Sequence, residues 1–315
     1  MKLIVPTSTP LDLDLPDDVE VVEISEFADV PEEHRDAEAA VLWGMQARVS
    51  KFVDQLPNVR WYQTLAAGPD GLLNSNLGDD VVVTNGVHFH DRPVAEHAAA
   101  LALTLTSRIP EMLQHKAEHY WSDFGRPRPL HDGEHVRTTV DSNVVVWGFG
   151  AIGQQVARVF DALGSNVTGV ARTAGERAGF PVVTEDDFDK VLPETDILVM
   201  VLPATPETEN IFNQEIVDLL PDRALLINVG RGPTVDEGVL VKALEEGKLG
   251  GAGLDVFQVE PLPEDSPLWD FDNVMISPHS AGGRPDQAGE RIKHNYEAWK
   301  AGDIDKMIGV VREPK

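Results

Sequence analysis

The sequence predicts an α/β protein built on parallel sheets, and three observations carry that prediction. Short apolar runs alternate with polar, helix-compatible segments, as successive βα units require. The β-branched run Val144, Val145, Val146 leads into Gly148-Phe149-Gly150-Ala151-Ile152-Gly153, and Ile152, Val156, Val159, Phe160 and Leu163 then recur at helical spacing. The alternation continues through Asp196 to Pro203, Ala224 to Gly230, Gly250 to Val256 and Val274 to Ser277.

In the first third the strand candidates are Leu3 to Val5, Val19 to Ile24, Ala39 to Trp43, Val59 to Leu65 and Val81 to Thr84. Thr64-Leu65-Ala66-Ala67-Gly68-Pro69 leaves a strand into a small-residue turn, which spacing alone reads as a plain turn. Pro93 precedes Val94 to Ile109, a run apolar nearly all round that predicts a buried helix, and the domain crossing is placed there. Glu111 to Arg137 shows no clear period and reads as an excursion or subunit arm. Within it His115 and His119 have the i, i+4 spacing of a zinc pair, but no third ligand is evident and Glu118 is misplaced for a His-Glu-x-x-His motif; no metal is predicted. Trp43, Trp61, Tyr62, Phe89 and Met307 read as core or interface.

The glycine unit reads as a dinucleotide site. Gly148 permits the tight turn, Gly150 lets backbone approach a pyrophosphate, and Gly153 lets helix and strand pack closely, with the phosphates at the helix's positive N-terminus. After the next strand, Asn166 to Val170, an acid would hold the ribose 2′-hydroxyl of NAD. This chain has Ala171-Arg172-Thr173 there, offering a guanidinium and a hydroxyl to the 2′-phosphate of NADP; NADP(H) is therefore favoured, with NAD(H) possible.

Further on, a helix starts near Asn213 and stops before Pro221, and another follows Thr234-Val235-Asp236-Glu237, whose Thr-x-x-Glu reads as a capping box. Ile292, Tyr296 and Trp299 mark a last helix, ending at Gly302 and expected to pack on the first domain. No solenoid-period repeat is present.

Length and charge bound the function. The 315 residues suffice for two domains, with 42% hydrophobic content. No apolar run approaches bilayer length, and Met1-Lys2-Leu3-Ile4-Val5-Pro6 reads as a first strand, so a cytoplasmic protein is expected. With no cysteine there is no disulfide or thiolate chemistry. The 53 acidic against 26 basic residues give a net charge of −27, which argues against nucleic-acid and membrane partners. Such a diffuse excess repels itself unless salt screens it, which predicts a halophilic source.

Residues just past strand ends converge at one edge of a parallel sheet. Arg231, Glu260 and His279 stand there, a set that suits a carboxylate anchor, a proton donor and a tuner of that donor. With these motifs, Leu202-Pro203-Ala204-Thr205-Pro206-Glu207-Thr208, Ile227-Asn228-Val229-Gly230-Arg231-Gly232, Gly253-Leu254-Asp255-Val256-Phe257 and Pro278-His279-Ser280-Ala281-Gly282 resemble the D-isomer-specific 2-hydroxyacid dehydrogenase family in order and spacing, over nearly the whole chain.

The resemblance implies two flavodoxin-like or Rossmann-like domains with the cofactor domain inserted, 1–95 plus 285–315 for substrate and 96–284 for the dinucleotide, in a homodimer. It implies that Arg231 holds the substrate carboxylate, His279 is the acid/base and Glu260 its partner, and that amides of the Ala67-Gly68 turn also hold the carboxylate. Cofactor contacts carried over fall on Gly148, Phe149, Gly150, Ala151, Ile152, Gly153, Leu202, Pro203, Thr208, Val229, Gly230, Arg231, Asp255, His279 and Gly282, with Arg172 and Thr173 at the adenosine ribose; Thr205 lies in the same loop as Thr208, and Asp255 is the residue facing the nicotinamide amide. The family's acid after the second strand is missing, and Leu130 to Asp141 keeps little of its pattern. Formate dehydrogenases of the superfamily have glutamine where Glu260 stands, which argues against that activity. The expected reaction is reversible reduction of small 2-keto acids to D-2-hydroxy acids. The alternatives are a dinucleotide-sensing corepressor-like protein and a glyoxylate/hydroxypyruvate-type reductase.

Overall fold

The computed structural model describes residues 1–25, 28–43, 48–121, 129, 131–283 and 285–314. The chain divides into two compact units, Met1–His90 with Arg284–Lys315, and Asp91–Gly283. The first unit opens with β1 (Lys2–Pro6), β2 (Glu20–Ile24), β3 (Ala39–Leu42), α1 (Val49–Asp54), β4 (Trp61–Thr64), α2 (Asp70–Leu73) and β5 (Val82–Thr84). These strands are mutually parallel. The helices between them are shorter than the alternation predicted, and β1 passes to β2 with no helix at all.

The second unit begins with α3 (Asp91–Thr106) and α4 (Ile109–Ala117). The single predicted helix to Ile109 is thus two, because Arg108 takes a left-handed φ of 55° and starts a new turn. Nor is α3 buried all round, since Leu103 is 37% exposed. The start of the predicted arm, Glu111–Ala117, is helical; its residues 122–128 and 130 lie outside the described ones. His119 sits past the end of α4 with φ 55°, and among the described residues no group of three His, Asp or Glu could hold a metal.

Next come β6 (Asn143–Trp147), α5 (Ala151–Ala162), β7 (Asn166–Val170), β8 (Gly175–Arg177), β9 (Phe180–Val183), α6 (Phe188–Val191), β10 (Ile197–Met200), α7 (Gln214–Leu219), β11 (Leu225–Asn228), α8 (Glu237–Glu245), β12 (Gly251–Leu254) and β13 (Val274–Ile276). The sheet order is β13-β12-β11-β10-β6-β7-β9-β8, parallel except that β8 runs against β9. Side-chain alternation sorts the core into two layers: Val144, Val146, Ile197 and Val199 face Ala98 and Leu101 of α3 and Val156 of α5. Val145, Trp147, Leu198 and Met200 face Ile216 of α7 and Leu240 of α8. The inner strands β6, β10 and β11 are therefore buried on both faces, which is why each reads as a continuous apolar run.

The chain then returns to the first unit with α9 (Ala288–Ala301), closed by Gly302 at φ 77°, and β14 (Val310–Arg312), which pairs antiparallel with β5. The first sheet is thus ordered β14-β5-β4-β3-β1-β2. Ile292 and Tyr296 of α9 cover the face that carries Leu3, Val5, Val41 and Trp61, while Phe52 and Leu72 cover the other. Tyr62, Phe89 and Met307 are buried there too, and Trp43 stacks on His90 at 5.5 Å.

One predicted cap is corrected. Gly232–Thr234 forms a 3-10 turn in which the Thr234 hydroxyl donates to the Arg231 carbonyl at 2.6 Å, so Thr234 cannot cap α8. Asp236 caps it instead, accepting from the Val239 N–H at 3.1 Å. No helix among the described residues is long and apolar enough to cross a membrane.

Candidate active site

In the second unit β6 starts the sheet; β7 lies on one side of it and β10 on the other, so a switch point falls between β6 and β10. The residues singled out in this unit follow the C-terminal ends of these parallel strands. The glycine turn follows β6, Arg172 and Thr173 follow β7, Leu202 to Thr208 follow β10, Val229 to Arg231 follow β11, Asp255 and Glu260 follow β12, and His279 and Gly282 follow β13.

The glycine turn has the shape its spacing implied. Gly148 stands at φ 102°, where a Cβ would lie 2.6 Å from the Val201 carbonyl oxygen, and a Cβ at Gly153 would lie 2.2 Å from that of Gly148. A Cβ at Gly150, by contrast, would meet nothing within 4 Å, so the space above the turn is open. Gly150 is the N-cap of α5 and brings no side chain to the helix's first amides. An open anion cradle at a helix N-terminus results, and it fits a dinucleotide pyrophosphate. Phe149 is 2% exposed and packs under the turn against Gly169, and its N–H donates to the Val170 carbonyl at 3.1 Å.

At the end of β7, Arg172 and Thr173 are exposed. A second cation stands with them: Arg177 of β8 donates to the Thr173 hydroxyl and, at 2.8 Å, to the Thr173 carbonyl. Sequence reading missed Arg177 because it ends the first strand of a hairpin whose two-residue loop is Ala178-Gly179, at φ 55° and 87°. Alanine in a left-handed turn gives no hairpin signal of the Asn-Gly kind.

After β10, the Thr208 hydroxyl donates to the Pro203 carbonyl at 2.6 Å and accepts from the Thr205 N–H at 2.9 Å, so it closes the Leu202 to Thr208 loop on itself. Arg231 is set between two glycines. A Cβ at Gly230 would lie 2.7 Å from Leu202 backbone atoms, and one at Gly232 would lie 1.8 Å from the Phe257 carbonyl oxygen. The loops after β10, β11 and β12 therefore touch backbone to backbone around Arg231. Asn228, fully buried, accepts from the Gly230 N–H at 3.1 Å and donates to the Arg231 carbonyl at 3.3 Å. The guanidinium commits one donor to the Gly230 carbonyl at 2.8 Å, and among the described residues no carboxylate is paired with it. Gly232→Ala is expected to cost about 1–3 kcal/mol of stability through this overpacking. An unchanged thermal midpoint would show that the Phe257 contact is not tight.

Glu260 and His279 meet. His279 Nδ1 lies 2.7 Å from Glu260 Oε2, with the two side chains 34% and 32% exposed. The other carboxylate oxygen accepts the Phe257 N–H at 3.0 Å, and the Gln258 N–H donates to Glu237 Oε1 of α8 at 2.6 Å. Glu237, read from sequence as half of a capping box, thus tethers the loop that carries Glu260.

Asp255 is 1% exposed and faces inward. It accepts from the Ser277 hydroxyl at 2.6 Å, the Ser280 N–H at 2.9 Å and the Ala281 N–H at 2.9 Å. Burial opposes its charge, but His97, Ser277 and the amides of Ala281 and Ser280 outweigh that and hold its carboxyl below the ordinary range. In the first unit, the half-buried Ala67-Gly68 turn follows β4, and neither amide donates a hydrogen bond among the described residues. Asn85 Nδ2 holds the Ala67 carbonyl at 2.8 Å.

Comparison with known proteins shows the family of this chain. A family model described as "D-isomer specific 2-hydroxyacid dehydrogenase, NAD binding domain" matches residues 99–281. Glyoxylate/hydroxypyruvate reductase A of Arabidopsis thaliana is 32% identical over 260 residues, 80% of this chain and 78% of that protein. The crystal structure of a D-isomer specific 2-hydroxyacid dehydrogenase family protein from Aeromonas salmonicida superposes with a TM-score of 0.83 at 29% identity, covering 99% of this chain and 98% of the other. That of the NADPH-dependent glyoxylate/hydroxypyruvate reductase from Sinorhizobium meliloti, in complex with NADP and sulfate, gives 0.78 at 26% identity over 98% of both chains. The chain belongs to the D-isomer specific 2-hydroxyacid dehydrogenase family and carries its NAD-binding domain.

Proposed function

We propose that this protein is an NADP(H)-preferring reductase of small 2-keto acids to D-2-hydroxy acids, with glyoxylate and hydroxypyruvate the first substrates to try. The observation that carries the reading is the 2.7 Å pair of His279 and Glu260 at strand ends next to that of Arg231, in a unit of this family. The bound dinucleotide supplies the hydride. Arg231 binds the substrate carboxylate through two parallel N–H donors, which a lysine cannot match. His279 turns Nδ1 to Glu260, which leaves Nε2 to deliver the proton to the carbonyl oxygen. The Ala67 and Gly68 amides of the first unit are the proposed additional donors to the carboxylate.

Cofactor choice rests on Arg172 and Thr173, to which we add Arg177. Arg172→Ala is expected to raise the Kd for NADPH about tenfold or more, the worth of one charge-assisted hydrogen bond, and to leave NADH nearly unchanged. Equal loss for both would remove Arg172 from phosphate recognition. Relatives named for NADPH or NADP support the preference.

Quaternary state is proposed as a homodimer through the region of α4, where Leu113 is 60% and Trp121 95% exposed. A monomer by light scattering would overturn it. The net charge of −27 supports a halophilic setting. The decisive experiment follows nicotinamide absorbance with a panel of 2-keto acids, NADPH beside NADH, from dilute buffer to several-molar KCl. Turnover of a keto acid, fastest with NADPH and rising with salt, is expected. Dinucleotide binding without turnover of any keto acid would favour the corepressor-like alternative.

A further inference from the structure

His279 occupies the left-handed region with φ 51°, a conformation that costs a residue with a Cβ about 1–2 kcal/mol unless its surroundings impose it. Three consecutive amides show what imposes it. The His279 N–H donates to the Asp255 carbonyl at 2.8 Å, and the Ser280 and Ala281 N–H groups donate at 2.9 Å each to the two oxygens of the Asp255 carboxylate. One buried residue thus holds the whole turn that presents the imidazole.

That carboxylate has its own support. The Ser277 hydroxyl donates to Oδ1 at 2.6 Å, and His97 Nε2 lies 2.8 Å from the same hydroxyl oxygen and 3.4 Å from Oδ1. A hydroxyl has one proton; with Ser277's committed to Asp255, its oxygen accepts from His97, so Nε2 carries hydrogen. The neutral Nε2–H tautomer and the cation both meet this requirement.

The packing of α3 on β12 puts His97 there. A Cβ at Gly253 would lie 2.9 Å from Leu101 Cβ, so helix and strand are in close contact at that point. Four residues back along a helix is about 6 Å, and two residues on along a strand is about 6.6 Å. His97 is four residues before Leu101, and Asp255 is two after Gly253. The glycine therefore sets the register that brings the histidine over the carboxylate.

We propose that His97 is a positioning residue of the reaction, acting through Ser277 on Asp255 to hold the strained turn that presents His279. This rests on the reading of His279 as the acid/base. Misplacing a catalytic group by about 1 Å can cost a hundredfold in rate, so the effect belongs in kcat.

The test uses the full chain with glyoxylate and NADPH. His97→Leu, which removes the donor, is expected to lower kcat about tenfold or more while the keto-acid KM and the NADPH Kd stay within about twofold. His97→Gln, whose amide can restore the donor, is expected to recover to within about threefold of the original kcat. Ser277→Ala gives the same kcat-selective loss and serves if His97→Leu does not fold. Full kcat in His97→Leu, or in Ser277→Ala where that variant stands in for it, overturns the proposal. So does a Gln variant as slow as Leu, or a parallel loss of NADPH affinity. His279→Ala run alongside separates the two claims: if it is inactive while His97→Leu is not, positioning alone fails, whereas if it turns over normally the acid/base reading fails and takes this one with it.

Discussion

His279→Ala is expected to lower kcat by about a hundredfold to ten-thousandfold, the range supplied by general acid–base catalysis, and to leave NADPH binding intact. The imidazole is placed by two hydrogen bonds, its own amide on the Asp255 carbonyl and Nδ1 on Glu260, and by a backbone turn at φ 51°, which together leave only Nε2 for chemistry. None of these touches the glycine turn after β6, so removal of the ring leaves the anion cradle unaltered. Glu260→Gln should cost less, because the ring stays in place, but the amide's single oxygen can accept from Nδ1 or from the Phe257 N–H and not from both, since the carboxylate meets them with different oxygens. Stopped-flow absorbance for the hydride step and fluorescence titration for the dinucleotide read the two effects separately. A variant with normal turnover would remove His279 from the chemistry; one that no longer binds NADPH would give it a cofactor role instead.

The inner strands β6, β10 and β11 were legible because they are buried on both faces, and their continuous apolar runs survive any register. The three glycines were legible for a related reason: a Cβ at Gly148 or Gly153 would collide with backbone, and one at Gly150 would project into open space. Strand ends were equally readable, so Arg231, Glu260 and His279 could be named from position. What escaped were features decided by competition or by distance along the chain. Thr234 reads as the cap of α8, but a 3-10 turn took its hydroxyl for the Arg231 carbonyl and Asp236 caps the helix. Arg177 needed a hairpin that Ala178 does not announce. His97 reads as one polar residue in an apolar helix until the fold brings it to Ser277, 180 residues away. Asn228 likewise reads as the end of a strand, and only its two hydrogen bonds show that it shapes the Arg231 loop.

Arg231→Lys tests the other half of the site, and its expected loss in kcat/KM is a hundredfold or more, about 3 kcal/mol from two charge-assisted hydrogen bonds. The charge survives in this variant, so what is lost is the fork. A lysine ammonium presents a point charge on a mobile stem, whereas the guanidinium offers coplanar donors matched to a carboxylate. The Arg231 backbone is fixed independently of its side chain, since its carbonyl accepts from Thr234 and Asn228, and Gly230 and Gly232 pack against the neighbouring loops. Thermal stability and dinucleotide affinity should therefore stay near their original values while turnover falls. In the proposed function the guanidinium binds the carboxylate; were it also to polarise the adjacent carbonyl, the loss would divide between KM and kcat, whereas a purely KM effect would confine Arg231 to uniform binding. Monofunctional aldehydes lacking the carboxylate provide the control. If they are reduced equally by both forms, the fork reads the carboxylate; if the variant fails on them as severely, Arg231 acts chiefly on the carbonyl.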